Sequence, residues 1–157
     1  MRLRDFSTPE RGQATLVCAP YALHGATIVD FAPGHSVVQA LRKAGVARLF
    51  VTDWRSATPP MRYFSIDSYL ADLNVAVDEI GAPVDLIGLC QGGWLALVYA
   101  ARFPEKCAGS CSPAPPSTFA PATRKLSRMA VDAPAAAFET LVDRGGGRVL
   151  GRDVLAL

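Results

Sequence analysis

Apolar and polar positions fall into alternating blocks along the chain. Residues 15–19, TLVCA, are a continuous apolar run that stops at Pro20, the pattern of a strand buried on both faces of a parallel sheet. A long loop follows, PYALHGATIVDFAPG. Ser36 then stands where a helix cap belongs, ahead of Val37, Val38, Leu41 and Ala44 at helical spacing, and Gly45 suits the helix stop. A second apolar run, ARLFVT at 47–52, predicts another strand.

Beyond the polar, proline-bearing loop DWRSATPPMR, residues 65–80 put Ile66, Tyr69, Leu70, Leu73, Val77 and Ile80 on one helical face, and Gly81 ends the stretch. VDLIGL predicts a third buried strand, with Asp85 at its beginning. QGGWLALVYAARF, residues 91–103, returns to helical character until Pro104. Strand, helix, strand, helix, strand, helix is the order of a mostly parallel sheet covered by helices on both faces, an α/β fold. PAAAFETLVDRGGG predicts one more helix, closed by glycines, and RVLGRDVLAL follows it.

The segment after the third helix breaks the pattern. Residues 107–123 read CAGSCSPAPPSTFAPAT, a composition unsuited to a central strand, although a buried strand is due there. One explanation is a one-base change of reading frame. With G/C-rich first bases, the codons of Ser110 to Lys125 can be read as LVLAGAPVDIRAGHSK, a strand and a turn. The other reading is a genuine proline-rich surface loop. The expected organisation is therefore a core over 1–106, an irregular Pro/Ser-rich segment over 107–125 and a helical C-terminal segment over 126–157.

Composition narrows the function classes. The 157 residues are half apolar, with a net charge of only +2 and scattered Lys and Arg, so no basic stripe suggests a nucleic-acid partner. No apolar run approaches the roughly 20 residues of a membrane helix, and MRLRDF lacks a signal-peptide core. A cytoplasmic location without a transmembrane segment is the expectation. Cys18, Cys90, Cys107 and Cys111 have no framework spacing and are expected to stay reduced. Cys107 and Cys111 have no second pair or nearby His, so no metal is expected, and no cofactor.

The candidate chemistry sits in DLIGLCQGGW, residues 85–94. Strand, G-x-C-x-G, helix is the order of a nucleophile elbow, where Gly88, Gly92 and Gly93 give room for a sharp turn and Cys90 is lifted to the helix N-terminus. Helix dipole and N–H groups there favour a thiolate and a developing oxyanion. The Gln91 N–H would be one oxyanion donor, and the loop after TLVCA would give the other, from Tyr21 or Ala22. The alternative is a small buried Cys90 in a capping turn. The glycines do not make a dinucleotide or phosphate-loop motif.

GLCQGGW resembles the cysteine lipase box of poly(3-hydroxyalkanoate) synthases, which are α/β-hydrolase-fold acyltransferases. LVCAPYALHGATIVDFAPGHSVVQALRKAG, VTDWRS and SIDSYLADLNVAVDEI resemble the strand, loop and helices upstream of that box, a colinear likeness over residues 14–106. It implies a partial α/β-hydrolase fold, with Cys90 carrying the acyl chain as a thioester. Hydroxyacyl-CoA or polyester substrates follow from it, with homodimer formation or granule association as further partners. That family uses a downstream Asp and His, but His24 and His35 both precede Cys90. The triad acid and His, and the C-terminal strands, are thus expected to be missing, and the activity low or absent. His24 reads as a satisfied loop histidine, with a part in shaping the oxyanion loop as the alternative, and His35 reads as a residue at a helix start. Asp30 and Asp53 precede the elbow, Asp85 lies at the wrong strand end, and Asp132, Asp143 and Asp153 have no assigned place. Trp54 and Trp94 read as packing residues. The alternatives are a depolymerase or thioesterase on the same elbow, and a non-catalytic fragment that binds a polymer granule or a partner.

Overall fold

The computed structural model describes residues 1–21, 25–114 and 134–154. The strands and helices in chain order are β1 (Arg2–Asp5), β2 (Ala14–Cys18), the short β3 (Asp30–Ala32) and β4 (His35–Ser36), α1 (Val37–Lys43), β5 (Arg48–Asp53), α2 (Ile66–Ile80), β6 (Val84–Leu89), α3 (Gln91–Arg102), β7 (Cys107–Ala114), α4 (Ala135–Arg144) and α5 (Gly151–Val154). They divide between two compact units. One holds Met1–Ser56 and Phe64 onward through β7; the other holds Ala57–Tyr63 with α4 and α5.

In the first unit five strands form one sheet in the order β1-β5-β2-β6-β7. The pairs β2–β5, β2–β6 and β6–β7 are parallel, and β1 runs antiparallel to β5. Side chains of a strand alternate between faces, and two cores follow from that alternation. Leu16, Cys18, Val84 and Leu86 point toward α2 and α3, where Leu70, Leu73, Val77, Leu95 and Tyr99 pack on them. Val17, Ala19, Leu49 and Val51 point the other way, onto Val38 of α1 and Val29. Each large aliphatic side chain removed from water here contributes about 1.5–3 kcal/mol.

Local chemistry fixes the element ends. The Ser36 hydroxyl accepts from the Gln39 N–H at 3.0 Å, capping α1, and donates to Asp30 Oδ1 at 2.6 Å. At the head of α2 the Ser65 N–H donates to Ser68 Oγ at 3.3 Å. VDLIGL is strand over the full run, and β2 and β5 lie within one residue of their expected ends.

Three features depart from the sequence reading. β1 goes unannounced because Arg2-Leu3-Arg4-Asp5 offers one apolar residue in four; Arg4 holds it to β5 through Asp53, N to O 2.7 Å. The long loop contains a 3₁₀ turn, Gly25–Ile28, and β3, which pairs with β4 just beyond the loop. Most importantly, Cys107–Ala114 is a strand rather than irregular chain, parallel to β6 with Pro113 opposite Gly88. Among the described strands β7 pairs on one side only, and proline is tolerated in such a position. The strand due after the elbow helix is therefore present in the residues as they stand. Residues 115–125 lie outside the described residues.

In the second unit, α4 keeps Leu141 buried and closes where the Gly145 N–H bonds to Leu141 O at 3.1 Å. Among the described residues no helix is long and apolar enough to cross a membrane.

Candidate active site

β6 ends at Leu89 and α3 begins at Gln91, so the chain turns from strand to helix within Cys90. That turn requires φ 53° and ψ −121° at Cys90, which is the one non-glycine residue with positive φ among the described residues. Such a conformation costs an L-residue on the order of 1–3 kcal/mol and persists only where its surroundings enforce it. The carbonyl of Cys90 is engaged by the Gly93 N–H at 3.0 Å.

The surroundings that enforce it are close backbone contacts at two glycines. A Cβ on Gly88 would lie 2.2 Å from the Gly93 Cα, so β6 and the first turn of α3 touch with no side chain between them. A Cβ on Gly92 would lie 2.0 Å from the Cys18 carbonyl oxygen and 2.7 Å from that of Ala19. The head of α3 therefore rests directly on the end of β2.

Cys90 is exposed, whereas Cys18 is buried and Cys107 half-buried. The reading of Cys90 as a buried capping thiol is corrected by this: the same turn that strains the backbone carries the side chain out of the core. The first turn of α3 holds no acidic side chain, and apart from that of Gly93, which bonds to the Cys90 carbonyl, the N–H groups of a first turn have no intrahelical acceptor. They and the helix dipole favour negative charge developing next to Cys90. The Gln91 N–H belongs to this set. Its side-chain Oε1 is buried without a hydrogen-bond partner.

The expected second donor follows β2. The Ala19 N–H donates to the Thr52 hydroxyl at 2.9 Å, and the Trp54 indole N–H donates to the Ala19 carbonyl at 3.2 Å. The ring of Tyr21 packs tilted against Tyr69 at 5.0 Å and meets Trp54 edge-on at 6.4 Å, and burial raises its phenol pKa, with Tyr69 adding to the effect. Ala22 and His24 lie outside the described residues. Thr52 and Trp54 are the residues that sequence reasoning passed over: Trp54 packs as expected, but its N–H also grips the backbone beside the elbow. A fully buried hydroxyl inside an apolar strand, Thr52, was the available signal, since buried polar groups need partners.

The remaining candidates lie elsewhere. His35 is exposed in β4, Asp30 accepts from Ser36, and Asp53 is ion-paired to Arg4. Asp85 lies near the start of β6, opposite the elbow end. Asp143 and Asp153 belong to the other unit, and Asp132 is outside the described residues. A cavity lined by Arg4, Ala26, Thr27, Asp30 and Asp53 includes no elbow residue. Among the described residues no three His, Cys, Asp or Glu side chains are grouped to hold a metal ion.

Comparison with known proteins agrees with the fold. Residues 24–154 match the family model described as alpha/beta hydrolase fold. The chain is 35% identical over 97 residues to the poly(3-hydroxyalkanoate) polymerase subunit PhaC of Synechocystis sp., an overlap of 58% of this chain and 24% of that protein. It is 32% identical over 85 residues to the subunit of the same name from Haloferax mediterranei, covering 50% of this chain and 17% of the relative. The chain thus spans a quarter or less of the relatives it matches. Among solved structures, a carboxylesterase from Nitrososphaera gargenis superposes with a TM-score of 0.54 at 20% identity, over 68% of this chain and 38% of the other, a likeness of fold.

Proposed function

Because the chain belongs to the α/β-hydrolase fold family, we propose that Cys90 is its acyl-accepting nucleophile and that the chain is part of an acyltransferase of the poly(3-hydroxyalkanoate) synthase kind. The observation that carries this reading is the exposed Cys90 side chain on a strained strand-to-helix corner at the head of α3. The similarity to two PhaC subunits supports the substrate class, a 3-hydroxyacyl-CoA.

The loading step follows from the chemistry of thioesters. The Cys90 sulfur attacks the carbonyl carbon of the acyl-CoA, and the carbonyl oxygen takes up negative charge in the tetrahedral intermediate. The amide N–H groups of Gln91 and Tyr21 stabilise that charge. The intermediate collapses with loss of the CoA sulfur, which leaves as a thiol with the proton given up by Cys90. The acyl group is left on Cys90 as a thioester. In the family order of nucleophile, acid and base, these residues contribute the nucleophile and its oxyanion donors; the two histidines of the chain both precede Cys90.

A second reading, hydrolysis of the same acyl-enzyme, is favoured by the exposure of Cys90, since open access of water to an acyl-enzyme promotes its breakdown. Incubation with 3-hydroxybutyryl-CoA tests both. The expected result is a hydroxylamine-sensitive hydroxybutyryl adduct on the Cys90 peptide with release of CoA thiol, absent in Cys90→Ala. Steady release of free 3-hydroxybutyrate would assign the hydrolase. CoA release equal in protein and variant would reject Cys90 as the nucleophile.

A further inference from the structure

The Ala19 backbone is held on both sides by side chains from a different strand and the residue beyond it. Its N–H is bonded to the Thr52 hydroxyl at 2.9 Å and its carbonyl to the Trp54 indole N–H at 3.2 Å. These two groups belong to the successive peptide units flanking the Ala19 Cα, so fixing both fixes φ and ψ of Ala19. Pro20 comes next, and its ring locks its own φ. The one backbone torsion left between this clamp and the Tyr21 N–H is ψ of Pro20. The Tyr21 ring is in turn packed against Trp54 and Tyr69.

The clamped residues are the ones on which the elbow rests. Gly92 approaches the carbonyl oxygens of both Cys18 and Ala19 so closely that no side chain could intervene. The backbone that leads to Tyr21 and the first turn of α3 that carries Gln91 are therefore referenced to one another. Thr52 and Trp54 are both buried and neither lies on the elbow. A buried hydroxyl and a buried indole N–H aimed at one residue's backbone do more than pack.

We propose that Thr52 and Trp54 are positioning residues that hold the Ala19–Pro20 backbone so that the Tyr21 N–H points, with that of Gln91, at the oxygen of an acyl group on Cys90. This rests on the reading of Cys90 as the acyl acceptor. Neither residue touches the substrate in this arrangement; they act through the direction of one amide. Their contribution is confined to reactions that pass through an oxyanion.

That restriction provides the test. Acylation of Cys90 by p-nitrophenyl acetate proceeds through an oxyanion, while its alkylation by iodoacetamide does not. Both rates are measured at Cys90 by peptide mass spectrometry in the full chain, in Trp54→Phe, which keeps an aromatic ring against Tyr21 and Tyr69, and in Thr52→Val, which keeps the shape and loses the acceptor. The expected result is acylation slowed about ten-fold or more in each variant, with alkylation within about two-fold of the original, since losing one oxyanion donor outright costs 10²–10³. The double variant is expected to be no slower than the slower single one, because both bonds hold the same residue.

Acylation unchanged in either folded variant, or acylation and alkylation falling together, would overturn the positioning role. Should Trp54→Phe lose its native circular dichroism, Thr52→Val decides alone. An unaltered protein whose Cys90 is alkylated but not acylated would bring down the functional reading and this proposal with it. An acylated protein with indifferent variants would remove the proposal only.

Discussion

The carbonyl oxygen of Cys18 stands 2.0 Å from the point where a side chain on Gly92 would begin. Strand β2 and helix α3 therefore meet backbone to backbone, and the corner at Cys90 is held in place by that contact together with the Gly88–Gly93 approach. Gly92→Ala cannot be absorbed by a flexible neighbour, because the atoms met are main-chain atoms of the central strand. The expected loss is about 3 kcal/mol, read as a lowered midpoint of urea unfolding, with Gly88→Ala behaving alike.

A polar cluster links the helices on the same face of the sheet. The buried Tyr99 hydroxyl donates to Asn74 Oδ1 at 3.0 Å, and Lys106 Nζ donates to the same oxygen at 2.9 Å and pairs with Asp78. Tyr99→Phe removes one of these bonds and is expected to cost about 1 kcal/mol, measured by thermal or chemical denaturation.

Burial, and next the Asp78 carboxylate, push the Tyr99 phenol well above its ordinary value. The folded state thus keeps its proton where the unfolded chain, with tyrosine near 10, gives it up. The unfolded state then binds fewer protons, so stability falls as pH rises. The stabilisation is complete below about pH 10 and is lost progressively above it. Unfolding midpoints measured from pH 8 to 12 are expected to decline, and in Tyr99→Phe the decline is expected to be shallower.

Helix α1 has only seven residues and depends on its cap. Ser36→Ala removes the bond to the Gln39 N–H and the one to Asp30, with an expected cost of about 1 kcal/mol. Hydrogen exchange of the α1 amides is expected to rise with it, while that of β6 amides stays as it was.

Much of this arrangement could be read from the residues alone, and the exceptions have physical reasons. VDLIGL announces β6 because a strand buried on both faces needs an unbroken apolar run, and Ser36 announces α1 because few other residues cap well. β1 gave no such signal: a short strand at the side of a sheet tolerates the charges of Arg2, Arg4 and Asp5. β7 hid behind Ser and Pro, residues acceptable in a strand that pairs on one side only. G-x-C-x-G pointed to the corner at Cys90, since at Gly88 and Gly92 an added Cβ would fall only about 2 Å from neighbouring backbone atoms. The Thr52 and Trp54 bonds to Ala19 stayed out of sight because they join residues 33 and 35 positions apart, and no local pattern encodes such a pairing.

A Cys90 thiol set to accept an acyl group must outpace the other cysteines in single-turnover acylation followed by site-resolved mass spectrometry. On treatment with limiting p-nitrophenyl acetate at neutral pH, the expected product is a hydroxylamine-sensitive acetyl group predominantly on Cys90, formed ahead of any on Cys18, Cys107 or Cys111 and abolished in Cys90→Ala. Acetyl groups spread evenly over the four cysteines, or absent from Cys90, would contradict it.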